Sequence, residues 1–201
     1  MTITMVQDHL YIVLISVLLT IVLGVPIGIC AYYFPKVRKP ILKISEVFQT
    51  IPALALMGVI MTVLGAGKLT VICALFLYSL LPVVNNTYVG FSEVDPALKE
   101  VATGMGMTRM GRLLQVELPL AFPLIFTGIR IATVTAIGVA VFAALVGGGG
   151  LGGIINRGIR NSDMTLIMHG TGALMLMAVA FDAVMALAER HLKKRLLGRA
   201  K

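Results

Sequence analysis

The sequence predicts an all-α integral membrane protein built as one domain over residues 1–201. Three features carry that prediction: an apolar composition, five long segments almost free of charge, and a one-sided distribution of basic residues. Hydrophobic residues make up 58% of the chain and charged residues only 13%, and the mean hydropathy is +0.97. So little polar surface cannot cover a soluble globule, and lipid must be part of the solvent.

A bilayer core about 30 Å thick needs about 20 mainly apolar residues per helix. Segments at about 10–34, 47–67, 69–92, 118–146 and 164–188 meet that requirement. The first three hold no Asp, Glu, Lys or Arg, the fourth only Arg130 and the fifth only Asp182. Residues 1–9 lack the basic start of a signal peptide, so the first span is expected to be retained.

Orientation follows from the 17 Lys and Arg, which gather on the cytoplasmic side of membrane proteins. Thirteen fall on one side: Lys36, Arg38, Lys39 and Lys43 after the first span, Lys99, Arg109 and Arg112 after the third, and a C-terminal tail holding Arg190, Lys193, Lys194, Arg195, Arg199 and Lys201. Lys68, Arg157 and Arg160 lie on the other side. The N-terminus is therefore expected outside and the C-terminus inside. The net charge of +8 sits at span ends, where it sets topology and meets anionic lipid headgroups; it lacks the clustering of a nucleic-acid reader.

Polar residues inside the spans are the first functional candidates. The second span opens with Gln49-Thr50-Ile51-Pro52, where the proline either breaks the helix and leaves polar groups facing the interior or simply occupies a first turn. The third span contains Pro82 and then Asn85-Asn86-Thr87-Tyr88. Such a cluster is costly against hydrocarbon, so it faces other helices or lines a solute path. Gln49, Thr50, Asn85, Asn86 and Tyr88 are accordingly the candidates for a translocation path. Arg130 and Asp182 lie at matching depths from the cytoplasmic boundary. Two readings stay open for them: an ion pair joining the last two spans, or Arg130 snorkelling to the headgroups while Asp182 finds a backbone or hydroxyl partner.

Catalytic chemistry is not indicated. Cys30 and Cys73 lie in apolar spans without metal or redox spacing and read as core packing, and His9, His169 and His191 are far apart in sequence. The segment from Gly147 to Gly153 is dense in glycine but lacks the Gly-Lys-Ser/Thr ending of a phosphate-binding loop. It reads as a close-packed external turn, suited to touching a delivery protein.

The one long cytoplasmic loop, 93–117, differs in character. Asp95 is a good N-cap and Pro96 a good first-turn residue, so a short amphipathic helix should begin there. Gly104 and Gly106 then weaken it, and the chain turns through 109–112 before Pro119 opens the fourth span. Within this loop Glu100, Ala102, Gly106, Val116, Leu118 and Pro119 match the EAA signature of ATP-binding-cassette importer permeases, with Val101 in place of the first alanine. The chain thus resembles the type I permease family. Its motifs Gly24-Val25-Pro26-Ile27-Gly28, Gln49 to Leu56, Asn86-Thr87-Tyr88, Val94 to Leu98, Gly104 to Thr108 and Gly128-Ile129-Arg130 are similar to the branch that imports glycine betaine, carnitine and choline.

The resemblance implies a multi-pass protein of the bacterial inner membrane that is not itself an enzyme. It implies a loop helix that docks on an ATP-binding subunit, with ATP and Mg held by that partner and no cofactor or metal in this chain. It further implies an extracytoplasmic substrate-binding protein and a second permease, identical or homologous. With no Trp and five Tyr, the chain offers no evident aromatic cage for a cation, and one is expected on the binding protein. A permease for another small solute such as an amino acid is the alternative. An ion-coupled secondary transporter fits less well, because only Arg130 and Asp182 are ionisable within the spans. A structural scaffold is disfavoured by the polar groups inside them.

Overall fold

The computed structural model describes residues 3–198; the first two residues, and Arg199 and Lys201 of the basic tail, lie outside them. Those residues form helices α1 (Ile3–Tyr33), α2 (Pro35–Thr50), α3 (Ala53–Leu64), α4 (Lys68–Ser92), α5 (Pro96–Gly104), α6 (Arg109–Arg112), α7 (Leu118–Val139), α8 (Gly152–Arg160) and α9 (Met164–Leu197). A π-helical turn, Leu113–Glu117, joins α6 to α7, and a 3-10 stretch, Ala140–Val146, extends α7.

Four of the predicted spans correspond to single helical runs that are long and apolar enough to cross a membrane: α1, α4, the run from Arg109 to Val146, and α9. The second span departs from expectation. Residues 35–46, read as a loop, are helical and belong to α2, and α3 leaves α2 at an angle of 100°. Counted as one crossing, the bent pair makes the fifth. Pro52 causes the break, because its ring disfavours the helical conformation of the preceding residue. Ile51 accordingly sits at φ −71°, ψ 129°, and Pro52 itself caps α3. The 12 residues of α3 rise only about 18 Å at 1.5 Å per residue, less than a bilayer core.

Two other expectations need correction. Residues 109–112 are a helical turn and Pro119 lies inside a continuous run, so the proline does not open the fourth span. The π turn accommodates it: the Leu118 N–H bonds to the Leu113 carbonyl, a widened pitch just ahead of the residue that cannot donate. The basic residues from Arg190 to Arg195 extend α9 rather than forming a tail, since Ala, Glu, Leu, Lys and Arg are all good helix formers.

Helix α4 is the centre of the bundle, with α1 and α7 against it. The approach is close where glycine removes the side chain. A Cβ on Gly28 would lie 2.5 Å from the Thr87 Cβ, and one on Gly128 would lie 2.5 Å from the Pro82 carbonyl oxygen. Gly24 and Gly28, four apart on α1, thus form a small-residue seam of the kind that packs membrane helices. Buried hydroxyls return to their own helix: Ser16 donates to the Ile12 carbonyl at 2.7 Å and Thr20 to the Ser16 carbonyl at 2.8 Å. The main apolar core joins Ile12, Val13, Met57, Leu75 and Ile137. A second core, Phe91, Val94, Ala121 and Ile125, lies beneath α5.

Candidate functional site

Helix α5 is fixed at both ends by local chemistry. The Asp95 carboxylate accepts from the Ala97 N–H at 2.8 Å, and Pro96 fills the first turn without an orphan donor. At the other end the Met107 N–H bonds to the Ala102 carbonyl at 3.1 Å and the Gly106 N–H to the Thr103 carbonyl at 3.0 Å. This pairing is a Schellman stop, which needs a left-handed residue at Gly106. Gly106 has φ +81°. A Cβ there would meet nothing within 4 Å. Its requirement is therefore the turn, and close approach plays no part among the described residues.

The six motif residues divide into two groups. Glu100 and Gly106 are exposed. Ala102 is buried against the bundle, Leu118 packs on the Phe91 and Ala121 cluster, and Val116 and Pro119 are half-buried in the helix entry. Leu98 and Val101 on α5 and Met105 at its C-cap are exposed as well, Met105 to 74%, and so are Met110 and Leu114 in the turns that follow. Val101, the departure from the motif, is 59% exposed and adds to this surface rather than disturbing the packing. A cleft of about 320 Å³, lined by Lys99, Glu100, Thr103, Gly104 and Arg112, adjoins the helix, and another of about 280 Å³, lined by Tyr33, Phe34, Arg109, Met110 and Leu113, lies between the end of α1 and α6.

The support beneath α5 was not legible in the sequence. Glu117 is fully buried, and its carboxylate accepts from Arg112 Nε at 2.7 Å and from the Tyr33 hydroxyl at 2.8 Å. Arg112 also donates to Thr103 on α5 at 3.0 Å. Lys99 donates to the Tyr32 hydroxyl at 2.8 Å and to the Phe91 carbonyl at 3.2 Å. Charge-assisted bonds of this length hold α5 to the ends of α1 and α4. The available signal was a lone acid, Glu117, between apolar neighbours.

The candidate path residues are scattered. Thr50 donates to the Val47 carbonyl at 2.8 Å and Asn86 to the Pro82 carbonyl at 2.8 Å, each within its own helix. Gln49 is half-buried and Asn85 exposed, while Tyr88 lies under the Arg38 guanidinium at 5.0 Å. Arg130 and Asp182, by contrast, meet in a bidentate pair between α7 and α9, with Nε to Oδ1 at 2.6 Å and Nη2 to Oδ2 at 2.7 Å. His9, set aside in the sequence, is fully buried and its Nε2 lies 3.1 Å from the Ile137 carbonyl, joining α1 to the end of α7.

Four or five helical crossings with an exposed loop helix define a multi-pass membrane protein. Residues 10–198 match the family described as binding-protein-dependent transport system inner membrane component, and the chain belongs to that family. It is thus a permease subunit of an ATP-binding-cassette importer and an inner-membrane protein. Similar proteins include the choline transport system permease protein OpuBD of Bacillus subtilis, 44% identical with 88% of this chain and 79% of that protein covered. The glycine betaine/carnitine/choline transport system permease protein OpuCD of the same organism is 43% identical over 92% of this chain and 81% of its own length. The osmoprotectant import permease protein OsmW of Salmonella typhimurium is 40% identical over 87% and 84%. Among solved structures, a chain of the MetNI methionine transporter superposes with a TM-score of 0.82 at 21% identity, covering 94% of this chain and 95% of that one, which shows the fold.

Proposed function

We propose that this chain is the membrane subunit of an importer for quaternary-amine osmoprotectants such as glycine betaine, carnitine or choline. The observation that supports coupling most directly is the exposed apolar surface around α5, rimmed by Glu100 and seated on the buried Glu117 carboxylate. Exposed apolar side chains on a loop helix held this firmly suit a protein partner. In this reading α5 faces the cytoplasm and docks on an ATP-binding subunit that carries ATP and Mg. The N-terminus lies outside, where α8 and the Gly147 to Gly153 turn face a substrate-binding protein. A second permease, identical or homologous, completes the path. The solute class rests on the names of relatives at about 40% identity over most of the chain.

The test is reconstitution of the permease with its ATP-binding subunit and binding protein in proteoliposomes, followed by uptake of labelled choline or glycine betaine. Uptake that needs ATP and both partners is expected. Uptake driven by an ion gradient alone would overturn the coupling reading, and ATP-driven uptake of an amino acid without quaternary amines would overturn the solute class.

A further inference from the structure

The Arg130 and Asp182 pair lines an open cleft of about 340 Å³ between α7 and α9, together with Thr127, Ile131, Val134 and Thr135. That volume falls within the range of about 300–1,000 Å³ typical of small-ligand sites. Arg130 lies 12 residues into α7, about 18 Å along its axis, and Asp182 is about 12 Å from Arg190 on α9. These are depths at which hydrocarbon is the default surroundings. Yet the side chains remain 33% and 43% exposed. Charges left this open within apolar helices face a water-filled path or a partner rather than lipid.

The charge balance of the cleft is specific. Glu189, two turns further along α9, places Oε2 3.8 Å from Arg130 Nη1. One guanidinium therefore stands against two carboxylates, Asp182 and Glu189, a net charge of −1. When a cation engages Asp182, Arg130 keeps a counter-charge through Glu189. The remaining wall suits a head group sheathed in methyl groups, because Ile131 and Val134 offer apolar contact and Thr127 commits its hydroxyl hydrogen to the Pro123 carbonyl at 3.0 Å.

We propose that this cleft is a transient subsite for a quaternary ammonium group on the transport path, with Asp182 as its anionic contact and Glu189 as the alternative partner that holds Arg130. The proposal rests on the quaternary-amine reading given above. Zwitterionic solutes fit the same arrangement, their carboxylate sharing Arg130 while the ammonium meets Asp182.

The experiment uses the permease with its ATP-binding subunit in nanodiscs of phosphatidylglycerol, without the binding protein, and labelled choline as probe. Saturable binding is expected, competed by glycine betaine and not by 3,3-dimethylbutanol, the neutral isostere of choline. Asp182→Asn should weaken it by about tenfold or more, as removal of a charged contact does. Glu189→Gln, which spares the bidentate pair, should weaken it as well, and Glu189→Asp should restore part of the loss. Choline binding unchanged in Asp182→Asn and Glu189→Gln, or equal competition by the neutral isostere, overturns the subsite. Loss of binding when phosphatidylcholine is added to the nanodiscs identifies a lipid head group as occupant and overturns the solute assignment. The full transporter separates the two levels: if the wild type imports choline and both variants import it as well, the subsite fails and the solute class stands. If the wild type imports no quaternary amine, the solute class fails and the subsite with it.

Discussion

Replacing Gly106 separates two effects that a single bulky substitution would merge. An L-residue forced into the left-handed region costs roughly 1–2 kcal/mol, and Gly106 sits at φ +81°. That cost is backbone strain rather than a clash, because a Cβ at this position meets nothing within 4 Å among the described residues. An energy of this size shifts the population of the seated α5 end by a factor of about 5–30. Gly106→Ala should therefore reduce transport per ATP hydrolysed by up to that factor while the protein inserts normally, and Gly106→Asn should lose less because Asn tolerates the left-handed region. Gly106→Leu adds bulk on the exposed face, so any loss beyond that of Gly106→Ala reports contact with the ATP-binding subunit. The assay pairs co-purification of that subunit with uptake and ATPase rates in proteoliposomes. Normal uptake and normal subunit binding in both the Ala and Leu variants would refute the reasoning, and equal losses in the two would remove the partner contact from it.

Arg112→Met should destabilise the protein by about 3 kcal/mol or more, because it leaves the buried Glu117 carboxylate without its counter-charge and with the Tyr33 hydroxyl as its remaining donor. In detergent melting curves the double variant Arg112→Met/Glu117→Leu should be less destabilised than that single one. Gly28→Val should cost at least about 1–3 kcal/mol through overpacking against Thr87, whereas Gly58→Ala, where a Cβ meets nothing within 4 Å, should be tolerated; expression and melting temperature compare them. Cysteines placed at 112 and 157 should label from opposite membrane faces, and labelling from the same face would mean that the spans are miscounted. His9→Leu should lower the melting temperature, because it removes the Nε2 bond to the Ile137 carbonyl between α1 and α7.

Much of this architecture is local, and local chemistry is readable. Apolar run length determined the α1, α4, α7 and α9 crossings, and the Asp95-Pro96 start and the glycines after it determined a short helix that stops at Gly106. Pro52 signalled either a break or a first turn, and the structure has the break: the residue that ends α2 by restricting Ile51 stands at the N-cap of α3, ahead of its first turn. What the sequence alone left open depended on which faces meet. Arg130 and Asp182 stand 52 positions apart, and no periodicity states whether their helices turn toward each other. The same holds for Glu117 with Tyr33, and for His9 with Ile137, 84 and 128 positions apart. These contacts are made by helix rotation and crossing, to which the close approaches of Gly28 and Gly128 to α4 contribute for α1 and α7. Sequence fixes the length and polarity of each helix through short-range chemistry; only the assembled bundle decides which polar groups find partners, because that depends on angles set by contacts far away along the chain.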